Sequence, residues 1–203
     1  MRMGKLFLIM GKSASGKDTL YKDITNCFSK RLGTVVPYTT RPRRQGESEG
    51  TEYFFISENQ MIQMVEAGKI IERRRYKTIY GYWYYMTADD GQINLNRKSS
   101  ILIVTPAAYE KLRDYFGAER VVPLYIETDD GVRLERALKR ERSQAEPKYE
   151  EMCRRFLADA KDFSEEVLNR LGIRKRFVND DYHRVLEELC TEIEKECGDE
   201  VVS

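Results

Sequence analysis

Five consecutive apolar residues, Leu6-Phe7-Leu8-Ile9-Met10, run straight into a glycine-rich turn. An unbroken apolar run of this length, rather than an alternating one, marks a strand buried on both faces, as in a parallel sheet. From Thr19 to Leu32 the period changes. Leu20, Ile24, Cys27, Phe28 and Leu32 fall at helical spacing, and Gly33 is placed to end that helix. Between residues 37 and 52, Pro37, Pro42, Gly46 and Gly50 stand among charged residues, a pattern that predicts a loop. Short aromatic-rich strands are expected at 53–56 and 69–76, with a helix between them beginning at Ser57. Ser57 and Gln60 have the spacing of a capping box, and Gly68 closes the helix. The run Tyr80-Gly81-Tyr82-Trp83-Tyr84-Tyr85 reads as a half-exposed strand.

Strand–helix alternation returns after residue 100. Ile101 to Val104 predicts a strand, and Thr105-Pro106 supplies the cap and first residue of a helix over 107–116. A strand over 121–126 precedes a helix over 130–142, a polar break at 143–147 and one long helix to about 168. A short strand over 174–178 and a helix over 181–196 end the pattern. Alternation in both halves with a β-rich insert between them implies an α/β fold: a parallel sheet with helices on both faces, carrying two small lobes.

Composition narrows the function classes. The chain has 203 residues, 41% hydrophobic and 34% charged, which fits a soluble globular protein with one core and fits neither disorder nor a membrane protein. The 35 basic and 34 acidic residues nearly cancel, so no global field exists to hold a nucleic acid, and any anion must meet a local cluster. Cys27, Cys153, Cys190 and Cys197 are far apart and His183 is the sole histidine, which argues against a zinc site and for reduced thiols in a cytoplasmic protein. The apolar run at the N-terminus is too short for a signal segment or a membrane span.

Gly11-Lys12-Ser13-Ala14-Ser15-Gly16-Lys17-Asp18 is G-x-x-x-x-G-K followed by Asp where Ser or Thr is usual. With a buried strand before it and a helix after it, this is a P-loop. Its backbone N–H groups turn around a phosphate, the helix N-terminus adds partial positive charge, and Lys17 reaches the outer phosphates. ATP with Mg²⁺ is the expected ligand. Asp18 or Thr19 would contribute to the metal. Further on, Tyr38-Thr39-Thr40-Arg41-Pro42-Arg43-Arg44 places three arginines beside a proline. Guanidinium forks hold phosphate oxygens in pairs, although such a cluster alone is equally a solvated basic patch.

Beyond that loop, a series of short motifs carries a resemblance. Gly46-Glu47, Gly50, Glu52-Tyr53-Phe54-Phe55-Ile56-Ser57, Gly68-Lys69-Ile70-Ile71-Glu72, Tyr80-Gly81 and Val178-Asn179-Asp180-Asp181 succeed the P-loop and the Thr-Thr-Arg-Pro loop in order. In this combination the chain resembles guanylate kinases, which implies a P-loop NTPase fold and transfer of a phosphoryl group from ATP to GMP. By the resemblance, Arg41, Arg44, Tyr53 and Tyr80 would hold the GMP phosphate and Glu72 would accept hydrogen bonds from guanine. Arg136, Arg140 and Arg155 would be transition-state arginines beside Lys17, and Asn179 would lie near the adenine end of ATP. Gly11, Ser13, Ala14, Ser15 and Gly16 would line the donor cradle. The chain would divide into a core (1–36, 97–135 and 168–203), an acceptor-binding lobe (37–96) and a lid (136–167). No nucleic-acid or membrane partner is expected, and the protein would be a monomer or small homo-oligomer.

Departures from the family pattern stand at the acceptor site. Ile103 and Thr105 occupy positions that are acidic in the family, Pro37 replaces a serine, and Tyr82 replaces a base-contacting Ser or Thr. Two alternatives stay open on the sequence: a kinase of the same fold with another acceptor, and a non-catalytic guanylate-kinase-like interaction module. Arg73-Arg74-Arg75 on a strand reads as a solvated face, and His183 as a surface residue.

Overall fold

The computed structural model describes residues 3–44, 46–78 and 81–198. The opening apolar run forms β1 (Leu6–Met10), buried at every position. Strand alternation sends its side chains into two cores. Leu6, Leu8 and Met10 pack with Leu102, Tyr109, Leu112 and Tyr125, whereas Phe7 and Ile9 pack with Leu20, Ile24, Leu124 and Val185.

Helix α1 (Lys17–Cys27) comes directly after the glycine turn, and strand β2 (Leu32–Thr34) comes next. The predicted helix over 19–32 is therefore shorter, and Gly33 is a strand residue rather than a helix terminator. Pairing decides this: Leu32, Gly33 and Thr34 lie against Ser99, Ser100 and Ile101, and Leu32 is buried there. Strands β3 (Tyr38–Thr39) and β4 (Phe54–Phe55), helix α2 (Glu58–Glu66), and strands β5 (Ile70–Thr78) and β6 (Gly81–Ala88) form the middle of the chain. They build a second sheet in the order β4-β3-β6-β5. Tyr38 and Thr39 fall in the segment predicted as loop. They pair with Met86 and Tyr85, a non-local contact that leaves no periodic mark on two residues. The capping box of α2 is formed, with Ser57 Oγ accepting from the Gln60 N–H at 3.2 Å and Gln60 Oε1 accepting from the Ser57 N–H at 2.8 Å.

The remaining elements are β7 (Ser99–Ile103), α3 (Pro106–Phe116), β8 (Val121–Glu127), α4 (Asp130–Arg142), α5 (Tyr149–Asp162), α6 (Glu165–Arg170), β9 (Arg176–Val178) and α7 (Tyr182–Cys197). The first sheet is β2-β7-β1-β8-β9, and all of its pairings are parallel. The predicted long helix to 168 is broken at Phe163. That ring turns inward to stack on Tyr125 with centroids 5.6 Å apart, and Ser164 then caps a new helix by accepting from the Val167 N–H. No helix among the described residues is long and apolar enough to cross a membrane.

Candidate functional site: a phosphate cradle facing an arginine-lined cleft

The P-loop joins β1 to α1, and side chains from other elements set its shape. Asn179, just after β9, donates from Nδ2 to the Ser15 carbonyl at 2.7 Å, and the Thr128 hydroxyl donates to the same oxygen at 3.1 Å. Arg133 of α4 donates to the Ser13 carbonyl at 2.9 Å. In a planar trans peptide the C=O and the next N–H point in opposite directions. Drawing these two carbonyls back therefore turns the N–H groups of Ala14 and Gly16 the other way, away from Arg133 and Asn179. Ala14 (φ 63°) and Gly16 (φ 87°) adopt the left-handed conformation that such an anion-binding nest requires. Only glycine fits at 16, because a Cβ there would sit 2.5 Å from Asn179 Nδ2. Asn179, placed by the resemblance near adenine, has its amide committed to holding the loop.

An anion already sits on the loop. Asp159 of α5 accepts the Ser13 N–H at 2.6 Å, and Arg133, wholly buried, lies 3.5 Å from the same carboxylate. Arg133 also donates to Asp130 at 2.8 Å and lies over the Phe156 ring, so one guanidinium ties the P-loop, α4 and α5 together. Lys17 Nζ lies 3.0 Å from Asp18, whose side chain is largely exposed at the start of α1 beside exposed Thr19. The Ser15 hydroxyl is buried and has no hydrogen-bond partner among the described residues, and Gly11 packs so closely on it that a Cβ at 11 would lie 2.7 Å from Ser15 Oγ.

The arginines of α4 and α5 face this loop. Arg136 comes within 3.9 Å of where a Gly16 Cβ would be, and Arg140 and Arg155 line a cleft with Ser13, Glu151 and Phe156. Glu151 has its carboxyl held below the usual range, first by a hydrogen bond from Arg154 and further by the charges of Arg155 and Arg44. Arg44 belongs to the loop after β3, so that loop lies close enough to α5 for its charge to act on Glu151. In the same loop Arg41 is buried and gripped by Glu47, at 2.7 Å from Nη1 and 2.5 Å from Nη2, with its guanidinium over the rings of Tyr53 and Phe55. Glu47 also accepts the Arg44 N–H at 2.9 Å, which fixes the loop. Arg44 itself points outward and is exposed. Tyr80 lies outside the described residues.

Glu72 is no surface carboxylate: only 1% of its side chain is exposed. Arg74 Nε and Nη2 donate to it at 3.0 and 3.3 Å, and the Thr87 hydroxyl donates at 2.9 Å. Arg74 also donates to Thr105 Oγ1 at 3.2 Å, so the residue standing at one of the family's acidic positions is part of the same network. The structure thus corrects the reading of Arg73-Arg74-Arg75 as one solvated face. Arg73 and Arg75 are exposed, and Arg74 turns into the site. Strand alternation carried that signal, since residues 72, 74 and 76 share a face opposite 73 and 75. Arg133 and Asp159 were also missed, as nothing in helical periodicity marks an arginine that will be buried by a loop 120 residues away.

The chain is similar to several known proteins. A family model described as guanylate kinase matches residues 3–196. The guanylate kinase of Legionella pneumophila (strain Lens) is 34% identical over 122 residues, 60% of this chain and 53% of that protein. The chain spans about half the length of the Legionella relatives it matches. The guanylate kinase of Rubrobacter xylanophilus is 28% identical over 207 residues, covering 93% of each. The crystal structure of guanylate kinase from Anaplasma phagocytophilum matches with a TM-score of 0.64 over 96% of this chain and 87% of that one, at 21% identity, and so shares the fold. A P-loop sheet, a small second sheet and a family match running almost end to end lead to one conclusion: this chain belongs to the guanylate kinase family.

Proposed function

We propose that this chain is a cytoplasmic nucleoside monophosphate kinase that transfers the γ-phosphoryl group of ATP to GMP. The observation that carries the reading is the cradle itself, with the Ser13 and Ser15 carbonyls tied back by Arg133 and Asn179, Arg136 beside Gly16, and Arg140 and Arg155 in the crevice next to Ser13. In the transfer, an oxygen of the GMP phosphate bonds to the γ-phosphorus while the bond from that phosphorus to the β,γ-bridging oxygen breaks, yielding GDP and ADP. Such a reaction asks the protein mainly to align donor and acceptor and to neutralise charge on the transferring oxygens.

The core (1–36, 97–135 and 168–203) would hold ATP, with the N–H groups of Ala14 and Gly16 and the N-terminus of α1 on its phosphates and Lys17 on the outer ones. The lobe at 37–96 would hold GMP, with its phosphate on Arg44, Tyr53 and the Arg41–Glu47 pair and its base beside Glu72. The lid at 136–167 would bring Arg136, Arg140 and Arg155 onto the transferring group and exclude water, the competing acceptor. No cluster of three or more potential metal ligands exists among the described residues. This suits Mg²⁺, which is commonly held by one or two carboxylates and the substrate's own phosphates rather than by an all-protein cage. Asp18, with Thr19 beside it, would share in that, and the ion would offset negative charge on the phosphates. Retention of Lys17 and of all three lid arginines favours catalysis over a purely binding module.

Anion-exchange analysis of ATP, Mg²⁺ and GMP after incubation tests the proposal. Equal amounts of ADP and GDP are expected, and Lys17→Met should lower the rate roughly 100- to 1000-fold, the usual cost of one transition-state donor. ADP appearing without GDP, or an unchanged rate in a correctly folded Lys17→Met variant, would contradict it.

A further inference from the structure

We propose that Asp159 and Arg133 are positioning residues for the phosphoryl donor: together they clamp the backbone at Ser13 and so hold the P-loop in the shape that receives the phosphates of ATP. The inference rests on the cradle being the ATP site and specifies what keeps it formed. Ser13 is gripped on both sides. Its N–H donates to Asp159 at 2.6 Å, and its carbonyl accepts from Arg133 at 2.9 Å. The Ser15 N–H is also consumed, by the Lys12 carbonyl at 3.2 Å. The N–H groups of Ala14 and Gly16 alternate with these and have no protein partner among the described residues. Tied-back and free N–H groups in alternation leave the free pair for an anion.

Such a shape does not hold itself. Ala14 is the one non-glycine residue in the left-handed conformation among the described residues, at φ 63°, which is unfavourable for a side chain with a Cβ. Without the clamp, Ala14 relaxes toward the right-handed or extended region and its N–H leaves the cradle. The clamp itself is well supported. Arg133 has no exposed side-chain surface, Asp159 is 16% exposed, and the guanidinium lies over the Phe156 ring. Arg133 also pairs with Asp130, which in turn holds Lys12 at 3.1 Å. Two cations and two carboxylates cancel in this chain of contacts, so the clamp shapes the cradle without subtracting from the positive charge of Lys17. Arg155 stands four residues before Asp159, on the same face of α5, and lines the crevice beside Ser13. The helix that would supply a transition-state arginine is thus the one that sets the donor loop.

A role of opposite sign is the rival: Asp159 as a carboxylate that competes with a phosphate for the loop. Titration calorimetry of the full chain with ATP and Mg²⁺, and separately with GMP, distinguishes the two. Asp159→Ala leaves Arg133 bonded to Asp130 and to the Ser13 carbonyl, so no buried charge is orphaned and the variant should fold. It is expected to weaken ATP binding about 10-fold, the low end for a hydrogen bond to a charged group, because Arg133 still holds the carbonyl. GMP affinity should stay at the wild-type value, and in steady state KM should rise for ATP alone. Asp159→Leu, which fills the same space without an acceptor, should behave alike. Asp159→Asn keeps an acceptor oxygen for the Ser13 N–H and should restore most of the ATP affinity, a rescue that a purely structural ion pair would not produce. Unchanged or tighter ATP binding in Asp159→Ala, an equal loss for both nucleotides, or an Asn variant as weak as the Ala variant would overturn the proposal. Turnover tests the kinase reading separately: if ATP binds but no monophosphate is phosphorylated, that reading falls while the ATP affinities of these forms still decide the clamp. A wild-type chain that binds no ATP would overturn it.

Discussion

Three neighbouring arginines on β5 have three different surroundings. Arg73 and Arg75 lie over the rings of Tyr84 and Tyr82 on the outer face, and Arg74 is drawn inward by Glu72. Their identical side chains conceal this in the sequence; the alternation of the strand reveals it, once Glu72 is taken as inward. Single residues of the P-loop were legible because glycine and lysine spacing is itself the chemistry. Asp159, by contrast, gave no signal, since its partners are a backbone N–H of the P-loop and an arginine 26 residues away on another helix. Arg155 belongs to this scale. It is exposed at the cleft beside Arg140 and Ser13, and under the proposed function its contact with the transferring group would be complete only when donor and acceptor are both enclosed. Arg155→Ala is expected to lower kcat more than it raises either KM, because an interaction made only in the transition state is lost. Steady-state kinetics with each nucleotide varied in turn checks this, and a change confined to KM would make Arg155 an ordinary binding group.

Among the elements, long periodic segments were legible and short ones were not. The capping box at Ser57 and the Thr105-Pro106 start of α3 show local chemistry fixing a boundary. The two-residue strand β3 and the early end of α1 show the reverse, since pairing across the sheet outweighs a local pattern. The loop after β3 read in the sequence as an arginine cluster among prolines and glycines, and the Arg41–Glu47 pair organises it and gives it a pH response. Hydrogen bonds from Arg41 come first in holding the Glu47 carboxyl below its ordinary 4.5. A depressed carboxyl contributes stability above its unfolded pKa and loses it as pH falls through the lower folded value. The loop should therefore keep its structure at about pH 5 and through the ordinary carboxylate range, opening only at more acid pH. Hydrogen exchange of the Arg44 N–H, bonded to Glu47, reads this directly, and Glu47→Gln should weaken that protection at neutral pH.

At the level of the whole molecule, the parallel sheet was visible in its buried runs, but the links between its parts were not. Arg133 has no exposed surface and connects the P-loop carbonyl of Ser13, Asp130 of α4 and Asp159 of α5. Removing one partner of a buried ion pair costs roughly 3–5 kcal/mol, and the low end applies here because Asp130, 51% exposed, and Asp159, 16% exposed, keep contact with water. Arg133→Ala should thus lower the thermal midpoint by about 10 °C, at roughly 2–4 °C per kcal/mol for a chain of this size. Arg133→Ala/Asp159→Ala should recover part of the loss. A midpoint within a degree of wild type would show that the three-way link carries no stability.

The proposed function puts the donor phosphates in the cradle and the acceptor base beside Glu72, so the identity of the phosphoryl acceptor is the central claim. The most direct measurement is an acceptor screen of the wild-type chain with ATP and Mg²⁺, with ADP read in a coupled assay and GMP, AMP, CMP and UMP as separate acceptors. Turnover with GMP is expected at a kcat/KM at least about 100-fold above that for AMP, since a site built on hydrogen bonds rejects an analogue that mismatches them. Equal use of AMP and GMP, or preference for a pyrimidine monophosphate, would contradict the claim.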